Sequence, residues 1–372
     1  MFADAGEEVE VATLRGISES ASLPPPLSMG GADARGGGVV NFRIHRLRSV
    51  IRTKIAGLPL GLIRLVRKDL DVIHLHFPFF GAQELLVLMM WFGWKPRRLV
   101  VTYHMDIVAS GFVKIVATMS RRFFLPTIIR RADAIIVSSK SYAETSWLKD
   151  MWEFVSQKLF EIPLSVDTTV FFSVVKNMVH ENNVTSMLFV ATLDRPHYFK
   201  GLSLLFRAIS SLKERNDWVL NVVGDGELRE GYENEVKSLG IEHRVKFLGR
   251  VSDEELPKIF RDANLHIVAS IDRSEAFGLV TIQAQASGVP SIVPDLPGVM
   301  STVEDGVTGF VFKTGNENML ATTIEKALDN YSLVVQMGSE ARLRAIRLFG
   351  KHAHLNNLKA VYEINKPDLR YK

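Results

Sequence analysis

The sequence predicts an α/β fold of parallel strands and helices in two domains, and three observations predict it. The chain has 372 residues, long for one hydrophobic core, and 47% of them are hydrophobic, enough for packed globular domains. Short apolar runs of strand length alternate with amphipathic runs of helix length, as in strand–helix–strand units. A polar stretch over Asn177–Ser186 fits a linker, and the pattern restarts with an apolar strand at Met187–Val190.

Composition limits the classes of function that remain. The formal net charge is +4 and the pI is near 9.1, a mild bias that suits anionic nucleotides or an anionic membrane surface. It is too weak to indicate nucleic-acid binding, so we predict none. The chain has no cysteine, which excludes disulfides and thiolate chemistry. No His pair at helical spacing is backed by a carboxylate, so we also predict no metal site.

The sequence also predicts where the protein resides. Met1–Glu8 is acidic and has no long apolar core, so it does not look like a signal peptide. The longest apolar run, Leu85–Trp94, is about half of what a bilayer span needs. We therefore predict a soluble, cytoplasmic protein.

One stretch carries the strongest functional pattern. A buried strand at Leu265–Val268 is followed by a polar loop, a helix from about Gly278, a Gly-Val-Pro stop and a second strand at Ser291–Val293. The loop lies at the carboxyl end of its strand, where open α/β sheets bind ligands. The free N–H groups and positive dipole end of the helix face the same loop, so we predict that a phosphate binds there.

This stretch resembles a known family. Glu275–Gln283 is similar to the E-x7-E signature of the retaining glycosyltransferases of family 4, and the residues around it match as well. The matching segments are Arg273–Gly278, Ala286–Pro290, Leu296–Val299 and Glu304–Gly309. The resemblance implies a GT-B fold, in which two Rossmann-like domains face each other across a cleft and the last helix crosses back to the first domain.

The resemblance also implies an activity. Members of the family transfer a sugar from a nucleoside-diphosphate sugar to an acceptor with retention of configuration, with no cofactor and no metal. They have no obvious protein nucleophile, and the departing phosphate is thought to help deprotonate the acceptor. The acceptor here would be a glycan or a lipid-linked molecule. The resemblance does not identify the sugar, the base or the acceptor.

Site residues follow from the same resemblance. Lys200, Arg195 and the backbone near Phe277, Gly278 and Leu279 would hold the donor diphosphate, and two cations suit such a leaving group without a metal. Glu275 would bind the sugar hydroxyls, and His104 would support the sugar from the first domain. Gly224 and Val251 would lie beside the donor and its base.

Several of these positions have a structural alternative. Gln283 stands where the family usually has the Glu that binds the donor ribose, and an amide has one acceptor oxygen where a carboxylate has two. Gln283 could be an ordinary helix residue, and Gly224 could belong to a turn that only connects. Asp106 could contact the acceptor or only cap the following helix. His74 and His76 share one side of a strand, as packing or cleft residues.

The predicted first domain spans residues 1–176, the linker 177–186, the second domain 187–350 and the returning helix 351–372. The family's opening strand, its Gly-rich loop and most of its first helix have no counterpart ahead of Val9–Leu14, so we expect a domain truncated at its start. Leu23–Gly38 is rich in Pro and Gly and predicts a mobile loop. Phe112–Arg131 is basic and amphipathic, and either contacts the inner face of a membrane or forms a solvated helix face.

Two other functions stay open. Gln283, the Thr192 that replaces a usual Arg, and the short N-terminus favour an impaired nucleotide-sugar-binding homologue or a partner subunit. A sugar-nucleotide epimerase of the same fold would need cleft carboxylates for acid–base work, and the surroundings of Glu275 fit that function less well.

Overall fold

A computed structural model describes residues 9–14, 42–47, 59–108, 111–173 and 184–363 of the chain. The predicted loop Leu23–Gly38 and most of the predicted linker lie outside these residues. The chain divides into two compact units. Unit 1 consists of Met1–Val137, Trp147–Phe160 and Leu358–Lys372, and unit 2 consists of Ser138–Ser146 and Glu161–Asn357.

The described residues of unit 1 form two sheets. Strands β1 (Val9–Leu14) and β2 (Phe42–Leu47) pair in parallel. The second sheet has four strands in the order β3-β4-β5-β6. Its strands are β3 (Ile73–Phe77), β4 (Leu99–Tyr103), β5 (Ala134–Val137) and β6 (Leu159–Glu161). Every residue of β4 and β5 is buried, as in a parallel strand that is covered on both faces.

Helices connect the strands of unit 1, and α5 begins at the boundary with unit 2. They are α1 (Gly61–Val66), α2 (Ala82–Trp91), α3 (Gly111–Met119), α4 (Leu125–Arg131), α5 (Lys140–Thr145) and α6 (Trp152–Val155). A π-helical turn, Ser120–Phe124, joins α3 to α4, and 3-10 turns flank α6.

Unit 2 is built on one sheet of six strands, and all five neighbouring pairs are parallel. The strands are β7 (Thr185–Val190), β8 (Trp218–Val223), β9 (Val245–Gly249), β10 (Leu265–Ile267), β11 (Ser291–Pro294) and β12 (Gly309–Phe312). Their order across the sheet is β12-β11-β10-β7-β8-β9. The chain therefore starts in the middle, builds outward through β8 and β9, and returns to the other side of β7 with β10. A doubly wound sheet of this kind binds ligands at the switch point, here between β7 and β10.

The remaining helices follow in unit 2, except that the last of them, α14, continues beyond Asn357 into residues assigned to unit 1. They are α7 (Leu202–Ser210), α8 (Arg229–Ser238), α9 (Leu256–Asp262), α10 (Leu279–Ala286), α11 (Pro297–Met300), α12 (Glu317–Leu328), α13 (Tyr331–Arg344) and α14 (Lys351–Glu363). Helix α7 buries six of its nine residues. Between α13 and α14 lies a second π-helical turn, Ala345–Phe349.

Two helix starts in unit 2 follow the local sequence. The Ser252 hydroxyl accepts from the Glu255 amide at 3.2 Å and the Glu255 carboxylate accepts from the Ser252 amide at 3.1 Å, which forms a capping box in the turn before α9. The Asn316 side chain accepts from the Met319 amide at 2.9 Å, so Asn316 is the N-cap of α12. In contrast, β7 begins at Thr185, two residues before the predicted strand.

Candidate functional site

Two predicted residues meet at the switch point of the unit 2 sheet. Lys200 ends a short 3-10 helix, Arg195–Lys200, that follows β7, and Glu275 lies in the loop that follows β10. The Asp194 side chain caps the 3-10 helix by accepting from the His197 amide at 3.1 Å. Because β7 and β10 are parallel neighbours, both loops leave the sheet at its carboxyl edge.

Lys200 and Glu275 form an ion pair. The Lys200 ammonium donates to Glu275 Oε2 at 2.5 Å, and the exposed fractions of the two side chains are 22% and 10%. The buried Ser270 hydroxyl donates to the same oxygen at 3.0 Å. Among the described residues no hydrogen bond is found to Glu275 Oε1. This pair therefore offers a cation with unused N–H groups and a carboxylate oxygen that can accept from a ligand.

Close backbone packing holds the two loops together. The Ile271 amide donates to the Phe199 carbonyl at 2.8 Å, one residue before Lys200. Gly201 has φ +70°, and a Cβ there would lie 2.0 Å from the Ala269 carbonyl oxygen. Only glycine fits at this position, so the sequence Lys200-Gly201 fixes the distance between the loops.

Helix α10 begins beside this pair. Gly278 is its N-cap with φ +85°, which glycine tolerates and other residues rarely adopt. The first amides of a helix have no intrahelical acceptor and lie at the positive end of its dipole. Phe277 is buried against Phe349, and Gly298 packs so closely on the Ala276 carbonyl that a Cβ would lie 1.9 Å away. The start of α10 is therefore held rigidly.

The other predicted donor residues of unit 2 have different surroundings. The Arg195 side chain is largely exposed and lies 3.6 Å from Glu227, so it does not join the Lys200–Glu275 pair. Gly224 has φ +134° and packs on the Ala191 carbonyl, where a Cβ would lie 1.7 Å away. Val251 is half-buried after β9, and Gln283 is half-buried in the second turn of α10. These roles remain predictions.

His104 lies in unit 1, at the end of β4, within a row of histidines. Its Nε2 is 2.8 Å from His76 Nδ1, and the two rings stack at 5.1 Å. His76 also stacks on His74 at 4.6 Å, as their alternation along β3 predicts. Burial, and next the charge of His76, lower the pKa of His104 to about 4. His104 is therefore a neutral imidazole at physiological pH, able to donate or accept one hydrogen bond without a net charge.

This pKa predicts acid sensitivity. Because the folded-state pKa of His104 is below the ordinary value of 6.5, its contribution to stability is complete above pH 6.5 and is lost as the pH falls toward 4. A difference of this size corresponds to about 3 kcal/mol. When the pH is lowered from 6.5 to 4, we expect the free energy of unfolding to fall less for His104→Asn than for the unmodified protein. Urea titration at each pH measures this difference. The control is His243→Asn, at an exposed position, and an identical loss in both variants would contradict the expectation.

Asp106 is buried and holds local structure. Its carboxylate accepts from the Tyr103 hydroxyl and, at 3.0 Å, from the Trp147 amide at the start of a 3-10 helix. The sequence offered a cap for the helix that follows Asp106, whereas the segment that Asp106 caps, Trp147–Met151, is distant in sequence. The acceptor role stays a prediction.

Sequence reasoning missed two contributors. The first is Ser270, which has no role among the sequence predictions. It lies in the loop that follows a buried strand, which is where open α/β sheets bind ligands. The second is His76, which contacts His104, the one histidine predicted to lie in the site.

Within the described residues, no group of three or more His, Asp or Glu side chains could hold a metal ion. Across those same residues, no helix is long and apolar enough to cross a membrane.

Two family models match the chain. The model of glycosyl transferases group 1 matches residues 176–344, and that of glycosyltransferase family 4 matches residues 1–170. The chain is 29% identical over 172 residues to an uncharacterized glycosyltransferase of Methanocaldococcus jannaschii, a match that covers 46% of this chain and 42% of that protein. The chain thus aligns with less than half the length of that relative.

Two longer matches are to relatives whose names state an activity. A D-inositol 3-phosphate glycosyltransferase of Corynebacterium aurimucosum is 27% identical over 83% of this chain and 76% of its own length. A phosphatidyl-myo-inositol mannosyltransferase of Mycobacterium leprae is 27% identical over 80% of this chain and 75% of its own length.

Solved structures show the same fold. Sucrose-phosphate synthase from Thermosynechococcus elongatus matches with a TM-score of 0.73 and 22% identity, over 97% of this chain and 90% of that chain. Anabaena HepE in complex with UDP and glucose matches with a TM-score of 0.65 and 19% identity, over 87% of this chain and 86% of that chain. These likenesses confirm the predicted GT-B fold with its Rossmann-like domains.

Proposed function

The chain belongs to the family 4 glycosyltransferases, the glycosyl transferases group 1, and from this premise we propose that it transfers a sugar from a nucleoside-diphosphate sugar to an acceptor with retention of configuration. The observation that carries the proposal is the Lys200–Glu275 pair at the switch point of the unit 2 sheet. The pair supplies a partly buried cation for a diphosphate and a carboxylate for a sugar hydroxyl. The start of helix α10, close by in the chain, supplies backbone amides for the same diphosphate.

Each group has a distinct role in this proposal. The Lys200 ammonium binds the diphosphate and stabilises the charge that grows on it as it departs. The amides from Phe277 to Leu279 bind the same phosphate at the positive end of α10. Glu275 accepts a sugar hydroxyl on Oε1 while Oε2 keeps its contacts with Lys200 and Ser270. For His104 the family resemblance implies a hydrogen bond to the sugar, which a neutral imidazole can donate.

The chemistry needs no metal in this proposal. The bond between the anomeric carbon and the phosphate oxygen breaks, and the acceptor oxygen forms its bond on the same face. The acceptor proton passes to the departing phosphate. A partly buried ammonium and helix amides are fixed before the reaction, so they stabilise the leaving group without reorganisation. Arg195 is a second cation for the diphosphate, because its exposed side chain can change conformation when a donor binds.

We propose a glycan or lipid-linked acceptor. One relative is named for phosphatidyl-myo-inositol, a lipid, which supports the lipid-linked class, whereas another is named for inositol 3-phosphate, a small soluble molecule. A lipid acceptor would require contact with a membrane, and the basic segment Phe112–Arg131 supports such contact.

The test is incubation of the full chain with UDP-, GDP- and ADP-sugars, with lipid and glycan acceptors, in the presence of a metal chelator. We expect release of one nucleoside diphosphate and a product whose anomeric proton, measured by NMR, has the configuration of the donor. A product of inverted configuration would refute retention, and dependence on a divalent ion would refute the metal-free mechanism. Conversion of the donor to its epimer with no transfer would identify the epimerase alternative.

Gln283 supports the second candidate, an impaired nucleotide-sugar-binding homologue. In that case, Gln283→Glu should restore the missing ribose contact. We expect this variant to bind the matching nucleoside diphosphate about tenfold more tightly, the scale of a hydrogen bond to a charged acceptor. Calorimetric titration measures the change, and Gln336→Glu, which adds the same charge at an exposed position, is the control. Equal affinity in Gln283→Glu and the unmodified protein would place the ribose elsewhere.

A further inference from the structure

Helix α3 and the π-helical turn after it present an apolar stripe to solvent. Ile115, Met119 and Phe123 recur at every fourth residue, and their exposed fractions are 58%, 50% and 54%. Residues at this spacing lie on one face of a helix. Apolar side chains scattered singly on a surface need no explanation, but an aligned set marks an interaction surface.

The end of helix α2 extends this stripe. Phe92 is 90% exposed and directly follows Trp91, which is also exposed. The Trp91 ring stacks on Phe124 at 5.8 Å, and its Nε1 donates to the Thr127 hydroxyl at 3.3 Å. The end of α2 therefore packs against the π-helical turn that carries the exposed Phe123.

The two apolar segments share a rigid base. The buried Gln83 side chain donates to the buried Ser120 hydroxyl at 2.8 Å and accepts from the Phe79 amide at 2.8 Å. These bonds attach α2 to the first residue of the π-helical turn, so the exposed rings project from a fixed framework.

Cations accompany the apolar groups. Lys95 and Lys114 are exposed beside the two segments, and the Arg122 guanidinium lies 6.0 Å from the centre of the Phe123 ring. Arg121 differs, because it is paired with Asp150. Aromatic and aliphatic groups next to lysine and arginine are typical of a surface that lies in the headgroup region of an anionic bilayer. The core of a protein–protein interface is instead depleted of lysine.

We propose that these residues form a membrane-docking surface that inserts Phe92, Trp91 and Phe123 into an anionic lipid surface, with Arg122, Lys95 and Lys114 on the headgroups. This proposal rests on the proposed function, because the surface would bring the enzyme to a lipid-linked acceptor. It adds the end of α2, which lies outside the basic segment identified in the sequence.

The experiment is sedimentation of the full chain with vesicles of phosphatidylcholine, with and without phosphatidylglycerol, in the absence of any nucleotide sugar. We expect binding to the anionic vesicles and weak binding to the neutral ones. Arg122→Gln should lower the partition about fivefold, since one arginine near such a surface contributes about 1 kcal/mol. Phe92→Asp should lower it by at least about tenfold. The matched control is Leu343→Asp in unit 2, whose position is 61% exposed.

The outcomes separate this proposal from the proposed function. Binding that Phe92→Asp weakens and Leu343→Asp leaves intact supports the docking surface, whether or not sugar transfer is detected. Equal binding of all variants, or no binding to anionic vesicles, overturns it. Self-association that Phe92→Asp abolishes, without vesicle binding, would also overturn it and assign the surface to a second copy of the chain. Transfer to a water-soluble acceptor should be unchanged in Phe92→Asp.

Discussion

Replacing Glu275 by Gln is expected to lower the rate of sugar transfer by about 10²-fold while binding of the nucleoside diphosphate is kept. Gln retains the shape and one acceptor oxygen of the side chain but removes its charge. The sugar hydroxyl then loses a charged acceptor, whereas Lys200 loses its ion-pair partner and stays available to the diphosphate. Steady-state kinetics should therefore show the loss in kcat, and a calorimetric titration should show a nucleotide affinity no weaker than that of the unmodified protein.

The chain contains a matched control for this variant. Glu235 accepts from the Ser203 hydroxyl at 2.6 Å and lies 3.8 Å from Arg207, so it combines a hydroxyl and a cation as Glu275 does. It is on α8, in the same unit. Glu235→Gln should leave the transfer rate unchanged. If both variants lost activity equally, the loss would reflect general destabilisation, and the role of Glu275 in binding the sugar would be refuted.

Replacing Arg342 by Met is expected to have the largest effect on stability. The Arg342 guanidinium donates to the Phe171 carbonyl at 2.8 Å, to the Thr168 carbonyl at 3.1 Å and to the Ala286 carbonyl at the end of α10. Three carbonyls lose a charged donor at once, so we expect a loss of about 3 kcal/mol in the free energy of unfolding. For a domain of this size that corresponds to a fall of about 6–12 °C in Tm.

The measurement is thermal unfolding followed by circular dichroism, with Arg347→Met as control because Arg347 is exposed in the adjoining π-helical turn. Arg342→Lys should recover only part of the loss, since one ammonium cannot reach three carbonyls in a fixed fork. A Tm for Arg342→Met within a degree or so of the control's would contradict this account of α10 and the segment before β7.

The sequence predicted best those features that depend on neighbouring residues. Strand β11 begins at Ser291 as predicted and ends one residue later than predicted. The capping box at Ser252 and the cap at Asn316 are local in the same way, because each needs only side chains three residues apart. Strand order could not be predicted this way, since pairing of β7 with β10 depends on the whole sheet. The pairing of Lys200 with Glu275, 75 residues apart, was accessible only through the resemblance to a family.

Other features of the site depend on contacts that no local pattern contains. Ser270 donates to Glu275 Oε2, and the polar character of the loop does not show which of its side chains would meet. The resemblance implied that Arg195 lies beside the diphosphate, whereas its side chain lies 3.6 Å from Glu227. The π-helical turn at Ser120–Phe124 shifts the helical phase, so the sequence periodicity alone did not show which aromatic rings would be exposed.

The central claim is that the Lys200–Glu275 pair binds the donor diphosphate, and calorimetric titration of UDP, GDP and ADP into Lys200→Met tests it most directly. The matched control is Lys351→Met, which breaks a partly buried pair with Asp167 in the same unit. One nucleotide should bind the unmodified protein and the control, and its affinity should fall by at least about tenfold in Lys200→Met, the scale of one charged hydrogen bond. Equal affinities in Lys200→Met and the control would contradict the claim and place the donor elsewhere.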